Sequence, residues 1–416
     1  MITSLDRLSA TPFEARNFPD SPLSIGEIRD RGYALQDLWL PTLVARESSL
    51  VHNLQRFAAW CQEHDVLLAP HGKTSMSPQL WQRQLDAGAW GITAATVAQA
   101  RVMDRFGVER VIIANEVVDR DQALWIAGVN MAIDRHYYLL IDSESCARII
   151  EEAAAKVGAT VPVLIEFGVP GGRTGIRSPE EVINLGRVVA QSEHLQLAGL
   201  EGYEGALPQG RGADAVEAAV TWLGRLADLV SEMDEVELFN DVDTILASAG
   251  GSGYPDLAAD ALTSISATSR PVCPIIRSGA YLTHDHLTYE RRSPLRSSAD
   301  DDPLVPVLTC FARVNSIPEH GLVLVGAGKR DVPFDEDLPI ILNARDIAGY
   351  QRQHEGLEVF AINDHHLYVR DPGSTLAVGD VLELGLSHPC TTFDKWQMIP
   401  ILDAKDSVVD ALVTLF

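Results

Sequence analysis

The chain has 416 residues, with 33 lysines and arginines against 58 aspartates and glutamates, a formal net charge of -25. That acidic excess repels nucleic-acid phosphates and anionic lipid head groups, which excludes a genome-binding or membrane-surface role. Apolar residues at 46% and charged residues at 22% suit one large core or two packed domains and exclude wholesale disorder.

Cys61, Cys146, Cys273, Cys310 and Cys390 are odd in number and far apart, with no C-x-x-C pair. This argues against a disulfide scaffold and for a reducing compartment. The first twenty residues interrupt any apolar run with charges and prolines, unlike a signal peptide. No window approaches the roughly eighteen consecutive apolar residues of a membrane span. The expectation is a soluble, cytoplasmic protein.

Residues 1–40 read as an N-terminal segment expected to pack on the C-terminal part of the chain. A barrel-like region then runs over 41–285. It opens on a helical stretch in which Leu50, Leu54, Phe57, Ala58 and Cys61 fall on one face, with Ser48 or Ser49 as the expected N-cap. Eight short apolar runs follow: VLLAP, WGITA, VIIAN, YYLLID, PVLIEF, LQLAGL, TILAS and CPIIRS. Each is too short for a helix and apolar throughout, as a strand covered on both faces should be. Helical segments separate them, including Ser77–Ala87, Ser143–Val157, Ser178–Gln191 and Ala213–Met233. Eight such units predict a (β/α)8 barrel, with a doubly wound open sheet as the competing α/β arrangement. After Tyr281, RRSPLRSSADDDP reads as a linker or exposed loop. The β-type runs LVPVLTCFARVNS, GLVLVGAG, LEVFAIND, HLYVRD and DVLELG predict a second, all-β domain over 286–416.

Lys73 lies just past the first barrel strand, in PHGKT, where such barrels place active sites. A neutral lysine amine there attacks a carbonyl to form a Schiff base, although position alone favours a solvated loop lysine. Gly250, Gly251 and Ser252 follow the seventh strand, and Gly279 and Tyr281 follow the eighth. Loops after strands seven and eight are the phosphate sites of these barrels. Arg173 in GGRTG and Tyr203 in GLEGYEG sit beyond strands five and six, as a salt-bridging arginine and a barrel-capping ring or as cofactor contacts. His388 and Cys390 in SHPC project from one face if that stretch is extended, and imidazole and thiolate both suit zinc. His284 and His286 form a rival pair, more consistent with a loop role.

In this order the motifs resemble those of the D-serine dehydratase and D-threonine aldolase family, whose fold is that of alanine racemase. PHGKT is similar to its cofactor-lysine motif, GGRTG to its barrel arginine motif, GGSG to its phosphate loop and SHPC to its metal pair. The resemblance implies pyridoxal phosphate on Lys73, with His71 in the cofactor site, Arg173 at the pyridine nitrogen and Tyr203 at the cofactor oxygen or ring. It implies a phosphate held by Gly250, Gly251, Ser252, Gly279 and Tyr281, and a divalent metal, zinc expected, on His388 and Cys390. Ala69, Ser75 and Gly326 depart from the family pattern. The implied function is a lyase that dehydrates and deaminates a β-hydroxy D-amino acid, working as a homodimer. An aldolase of the same fold is the alternative, which aspartate in place of Cys390 would favour; a racemase or a non-catalytic cofactor carrier is more remote.

Overall fold

The computed structural model describes residues 4–416. Its first strand, β1 (Thr42–Arg46), leads into the helix Glu47–Glu63, and eight parallel strands follow. These are β2 (Leu67–Leu68), β3 (Ile92–Ala94), β4 (Arg110–Glu116), β5 (His136–Ile141), β6 (Val161–Phe167), β7 (Leu195–Gly202), β8 (Ile245–Ala249) and β9 (Val272–Ile276). They pair in the order β2-β9-β8-β7-β6-β5-β4-β3. The seam between β2 and β3 closes through Trp90 N–H to the Leu68 carbonyl at 2.8 Å and Thr93 N–H to the Pro70 carbonyl at 2.9 Å. A bridge between His71 and Thr93 completes it. This is a (β/α)8 barrel, and the open sheet is set aside.

The barrel closes because each strand carries apolar residues on both faces. Ala69, Ile112, Leu140, Leu164, Ala198, Leu246 and Ile275 form one interior layer, each from a different strand or strand end. Their neighbours Val111, Ile113, Leu139 and Ile141 face outward into the core shared with the helices. Helix starts are set locally: Thr96, Asp119 and Ser143 accept N–H bonds from the first turn, and Pro78, Pro179 and Pro255 occupy first-turn positions. The opening helix departs from expectation. It begins at Glu47 after Arg46, which puts Ser48 and Ser49 inside its first turn rather than at the cap. The predicted face holds, with Leu50, Phe57 and Cys61 buried.

The C-terminal domain contains β10 (Leu308–Glu319), β11 (Leu322–Val325), β12 (Ile340–Arg345), β13 (Glu358–Ile362), β14 (Leu367–Arg370), β15 (Val381–Gly385), β16 (Met398–Leu402) and β17 (Val408–Val413). The long β10 pairs with β1 and β15 through its first half and with β11 through its second. β1, although it precedes the barrel in the chain, therefore belongs to this sheet, antiparallel to β10 and parallel to β16. The helix Ile25–Arg31 lies against the same sheet. Leu8, Phe18, Leu23, Ile25 and Ile28 share a cluster with Val44, Phe311, Met398 and Val413, and Arg29 pairs with Asp410 at 2.9 Å.

The stretch after Tyr281 is not a free tether. It forms the short helix Thr288–Arg292 and then packs on the helix Glu47–Glu63. Arg56 binds Asp300 at 3.1 Å, His52 meets the Pro303 carbonyl at 2.8 Å, and Asn53 exchanges hydrogen bonds with Val305. Leu295 and Leu304 are buried beneath it. Polarity and proline content concealed these anchors in the sequence.

Candidate active site

Lys73 sits in a single 3-10 turn, Gly72–Thr74, directly above β2. Gly72 is required there: a Cβ would lie 2.6 Å from Met103 Cε and 2.8 Å from both Ile92 Cγ2 and Trp81 Nε1. Trp81 donates its indole N–H to the Gly72 carbonyl at 3.2 Å, which fixes the turn and points Lys73 into the mouth. Burial pulls the Lys73 ammonium below its ordinary range, the nearby guanidinium of Arg173 adds to this, and Cys390 opposes it. His71, one residue before the turn, is held neutral by burial and by the Lys73 charge. Its Nδ1 is buried with no hydrogen-bond partner, an open polar position at the same mouth.

Gly250 and Gly251 follow β8, Gly250 with φ of 86°, and their backbone N–H groups form a concave cradle. The carboxylate of Glu204 fills it, accepting from Gly250 N–H at 3.1 Å and from Gly251 N–H at 2.5 Å. The cradle thus holds a carboxyl group in this structure, one that burial raises above its ordinary range while the two N–H groups oppose the rise. Ser252 accepts from Ala280 N–H at 3.1 Å, and Ser278 donates to the Gly250 and Gly251 carbonyls at 3.2 and 3.0 Å. Gly279 lies against His71, where a Cβ would fall 2.7 Å from the His71 carbonyl oxygen, so the loops after β2 and β9 touch. Tyr281 lines the same small pocket as Ser252 and Ser278. It stacks on Phe57 with centroids 4.2 Å apart, and its hydroxyl accepts from Gln84 at 3.1 Å.

Arg173 lies in the exposed loop after β6 with its guanidinium carbon 5.2 Å from the Tyr203 ring centroid, so these two predicted residues meet. Arg277 is more deeply placed. Its guanidinium lies 2.6 Å from Glu201 and donates to the Gly202 carbonyl at 2.9 Å. The alignment leaves both Glu201 oxygens without a hydrogen bond, and burial pushes that carboxyl up to about 8 against the pull of Arg277. Glu116, at the end of β4, has both carboxyl oxygens buried without a hydrogen-bond partner and is pushed up to about 9, mainly by burial and further by the neighbouring Glu166 carboxyl.

His388 and Cys390 reach this mouth from the C-terminal domain. The SHPC stretch is not extended, because His388 has φ of 48° and Cys390 opens the helical turn Cys390–Phe393. A tight turn, rather than strand alternation, brings imidazole and thiol together. Asp335 takes His388 Nδ1 at 2.5 Å, and Thr391 donates to its other oxygen at 2.7 Å. Asp285 accepts the His388 backbone N–H at 3.0 Å. The Cys390 sulfur lies 3.2 Å from the Thr74 hydroxyl. Burial alone would raise the Cys390 thiol, but hydrogen bonds with His388 and Thr74 and the charges of His388 and Lys73 outweigh it and lower it. No group of three metal-ligating side chains occurs among the described residues. A cation held by this pair would keep positions open for substrate, as catalytic sites do. His286, by contrast, is structural: its Nδ1 accepts from Leu386 N–H at 3.3 Å.

The family model described as "Alanine racemase, N-terminal domain" matches residues 46–253, half of the chain. The chain belongs to this family. A second model, described as "Putative serine dehydratase domain", matches residues 307–402. A D-threonine aldolase of an Arthrobacter species is 27% identical over 378 residues, covering 89% of this chain and 90% of that protein. The solved D-threonine aldolase from Filomicrobium marinum matches with a TM-score of 0.76 at 23% identity, over 92% of this chain and 97% of that one. A D-threo-3-hydroxyaspartate dehydratase, solved as a cysteine mutant in a metal-free form, matches with a TM-score of 0.71 at 21% identity, over 92% and 99%. These solved structures share the alanine racemase-like fold with this chain.

Within this alanine racemase-type frame, Asp335, Asp285, Glu204 and Arg277 join the site although the sequence alone did not single them out. Asp335 stands 53 residues from His388, in an acidic loop with no motif spacing. Glu204 adjoins Tyr203, and its partners, the Gly250 and Gly251 N–H groups, lie 46 and 47 residues away with no local pattern to announce them. Gly326, one of the departures from the family pattern, packs on Asn315, whose Nδ2 would lie 2.5 Å from a Cβ there. Ala69 belongs to the interior barrel layer, and Ser75 accepts from Ser77 N–H at 3.3 Å. No helix among the described residues is long and apolar enough to cross a membrane.

Proposed function

We propose that the protein is a pyridoxal-phosphate- and metal-dependent lyase that dehydrates a β-hydroxy D-amino acid to a keto acid and ammonia. The substrates considered are of the D-serine, D-threonine or 3-hydroxyaspartate type, and the working form is a cytoplasmic homodimer. One observation carries this reading: the 3.2 Å contact between Thr74 and Cys390. It sets the pair His388 and Cys390 beside Lys73, so that a barrel amine and a metal-type donor set share one mouth.

The residues fit both groups. Lys73 supplies the amine, His71 an unpartnered buried nitrogen, Arg173 and Tyr203 a cation and a ring, and Gly250 and Gly251 a cradle that already accommodates a pair of carboxyl oxygens. Bound there, pyridoxal phosphate supplies an electron sink for the carbon that bears the amino group. His388 and Cys390 would hold a divalent cation, whose chemistry is Lewis-acid assistance to a departing hydroxyl. Lys73, its ammonium destabilised by burial, takes the α-proton at Nζ as general base. Asp335 keeps His388 Nδ1 occupied and leaves Nε2 for the cation. Substrate recognition at the mouth rests on Arg173, whose guanidinium stands in the exposed loop after β6 beside Tyr203 and suits a carboxylate.

Aldol cleavage is the second reading, supported by the likeness to D-threonine aldolase over about nine tenths of both chains. Incubation with D-serine, D-threonine and 3-hydroxyaspartate, with assays for keto acid, ammonia, glycine and aldehyde, separates them. Keto acid with ammonia is the expected result. Glycine with an aldehyde replaces dehydration by cleavage, and no turnover of any of the three overturns both.

A further inference from the structure

Glu204 is a buried carboxylate whose side-chain hydrogen bonds, among the described residues, come from the Gly250 and Gly251 N–H groups. Arg277, the guanidinium beside it, is engaged with Glu201 and the Gly202 carbonyl. Each backbone N–H supplies one hydrogen, so these two amides cannot serve Glu204 and a cofactor phosphate at full strength together. We propose that Glu204 is an internal competitor for the phosphate cradle and thereby sets the affinity of the cofactor-free protein for its phosphorylated cofactor.

The local geometry ties this competition to Tyr203. Glu204 opens the 3-10 turn Glu204–Ala206, and the Tyr203 ring folds over Gly205 so closely that no Cβ fits there. A Cβ on Gly251 would fall 2.8 Å from Tyr203 Cε2 and 3.2 Å from Glu204 Oε1. Ring and carboxylate are therefore presented to the cradle by one compact turn, and a phosphate that displaces Glu204 shifts the turn carrying Tyr203. The cradle-open form is a fraction of the cofactor-free population, and apparent affinity falls by that fraction.

This inference rests on the cofactor reading above, and the test separates the two. Cofactor-free wild type, Glu204→Gln and Glu204→Ala are titrated with pyridoxal phosphate, with unphosphorylated pyridoxal and with inorganic phosphate. Binding is followed by absorbance for the pyridoxal ligands and by calorimetry for phosphate, with circular dichroism to confirm the fold. Both variants should bind pyridoxal phosphate and inorganic phosphate about tenfold or more tightly than wild type, with pyridoxal unchanged. Equal affinities across the three proteins, weaker binding by the variants, or an equal gain for pyridoxal overturns the competitor role while the cofactor reading stands. Failure of all three proteins to bind pyridoxal phosphate overturns both. Should Glu204→Ala not fold, the isosteric Glu204→Gln alone decides.

Discussion

Asp335 fixes how His388 faces the barrel mouth, since it holds one ring nitrogen at 2.5 Å and is itself held by Thr391. Outer-shell carboxylates of this kind govern metal affinity by roughly 10–100-fold. Asp335→Asn should weaken divalent-cation binding by about that factor, read by calorimetry on chelated protein, while Cys390→Ala should weaken it further. Unchanged affinity in both variants would show that the cation binds elsewhere. Lys73 has an equally direct check. Borohydride reduction of cofactor-loaded protein followed by peptide mapping should place the pyridoxyl group on Lys73, and Lys73→Ala should lower turnover by at least about 10²-fold. Label on Lys329, which lies over the Phe334 ring at 5.3 Å in the C-terminal domain, would sink the assignment. The sequence made Lys73, the glycine loop and the His388–Cys390 pair legible because each is a short local motif. It concealed Asp335 and Asp285, whose roles depend on contacts across 53 and 103 residues.

At the level of single elements, the 3-10 turn under Lys73 tolerates no side chain at Gly72. Gly72→Ala should cost about 1–3 kcal/mol, because Ile92 and Trp81 are packed and cannot both retreat; equilibrium urea melts would read it. A second element effect lies at the ends of β4 and β6, where the carboxyls of Glu116 and Glu166 repel each other and both Glu116 oxygens are buried without a hydrogen-bond partner. The Glu116 carboxyl is raised from 4.5 to about 9 in the folded chain. A carboxyl raised by folding stabilises the native state below its unfolded value, and that contribution is lost as pH climbs toward the folded value. Glu116→Gln should therefore melt a few degrees higher than wild type at pH 8, with the gap narrowing toward pH 5. A pH-independent gap would remove the titration from the explanation. The strands themselves were readable as apolar runs too short for helices, and all eight appear in the barrel. Local conformation at caps and turns was less legible than strand pattern, because it depends on backbone dihedrals that composition does not set. Ser48 and Ser49 fall inside a helix whose cap the backbone sets at Arg46, and SHPC turns where alternation predicted extension. No local pattern announced that β1 would leave the barrel, because its partners lie about 260 and 350 positions downstream.

Across the whole molecule, one apolar core runs from Leu50 and Phe57 through the barrel to Leu384, Ile399 and Leu412, and β1 is stitched between β10 and β16. Barrel and C-terminal domain should therefore unfold together. Differential scanning calorimetry should give one transition whose calorimetric and van't Hoff enthalpies agree. Two resolved transitions would mean that the shared core contributes little and that the two parts fold independently.

The position of β1 also bears on how the chain is made. Its residues emerge from the ribosome early, yet both its hydrogen-bonding partners lie in the last third of the sequence. At about 5–20 residues per second, translation leaves Leu43 and Val44 waiting for roughly tens of seconds. Throughout that interval the nascent polypeptide carries an unpaired apolar strand, a natural target for holding chaperones until synthesis passes β10 and then β16, and the sheet can close on both sides of it.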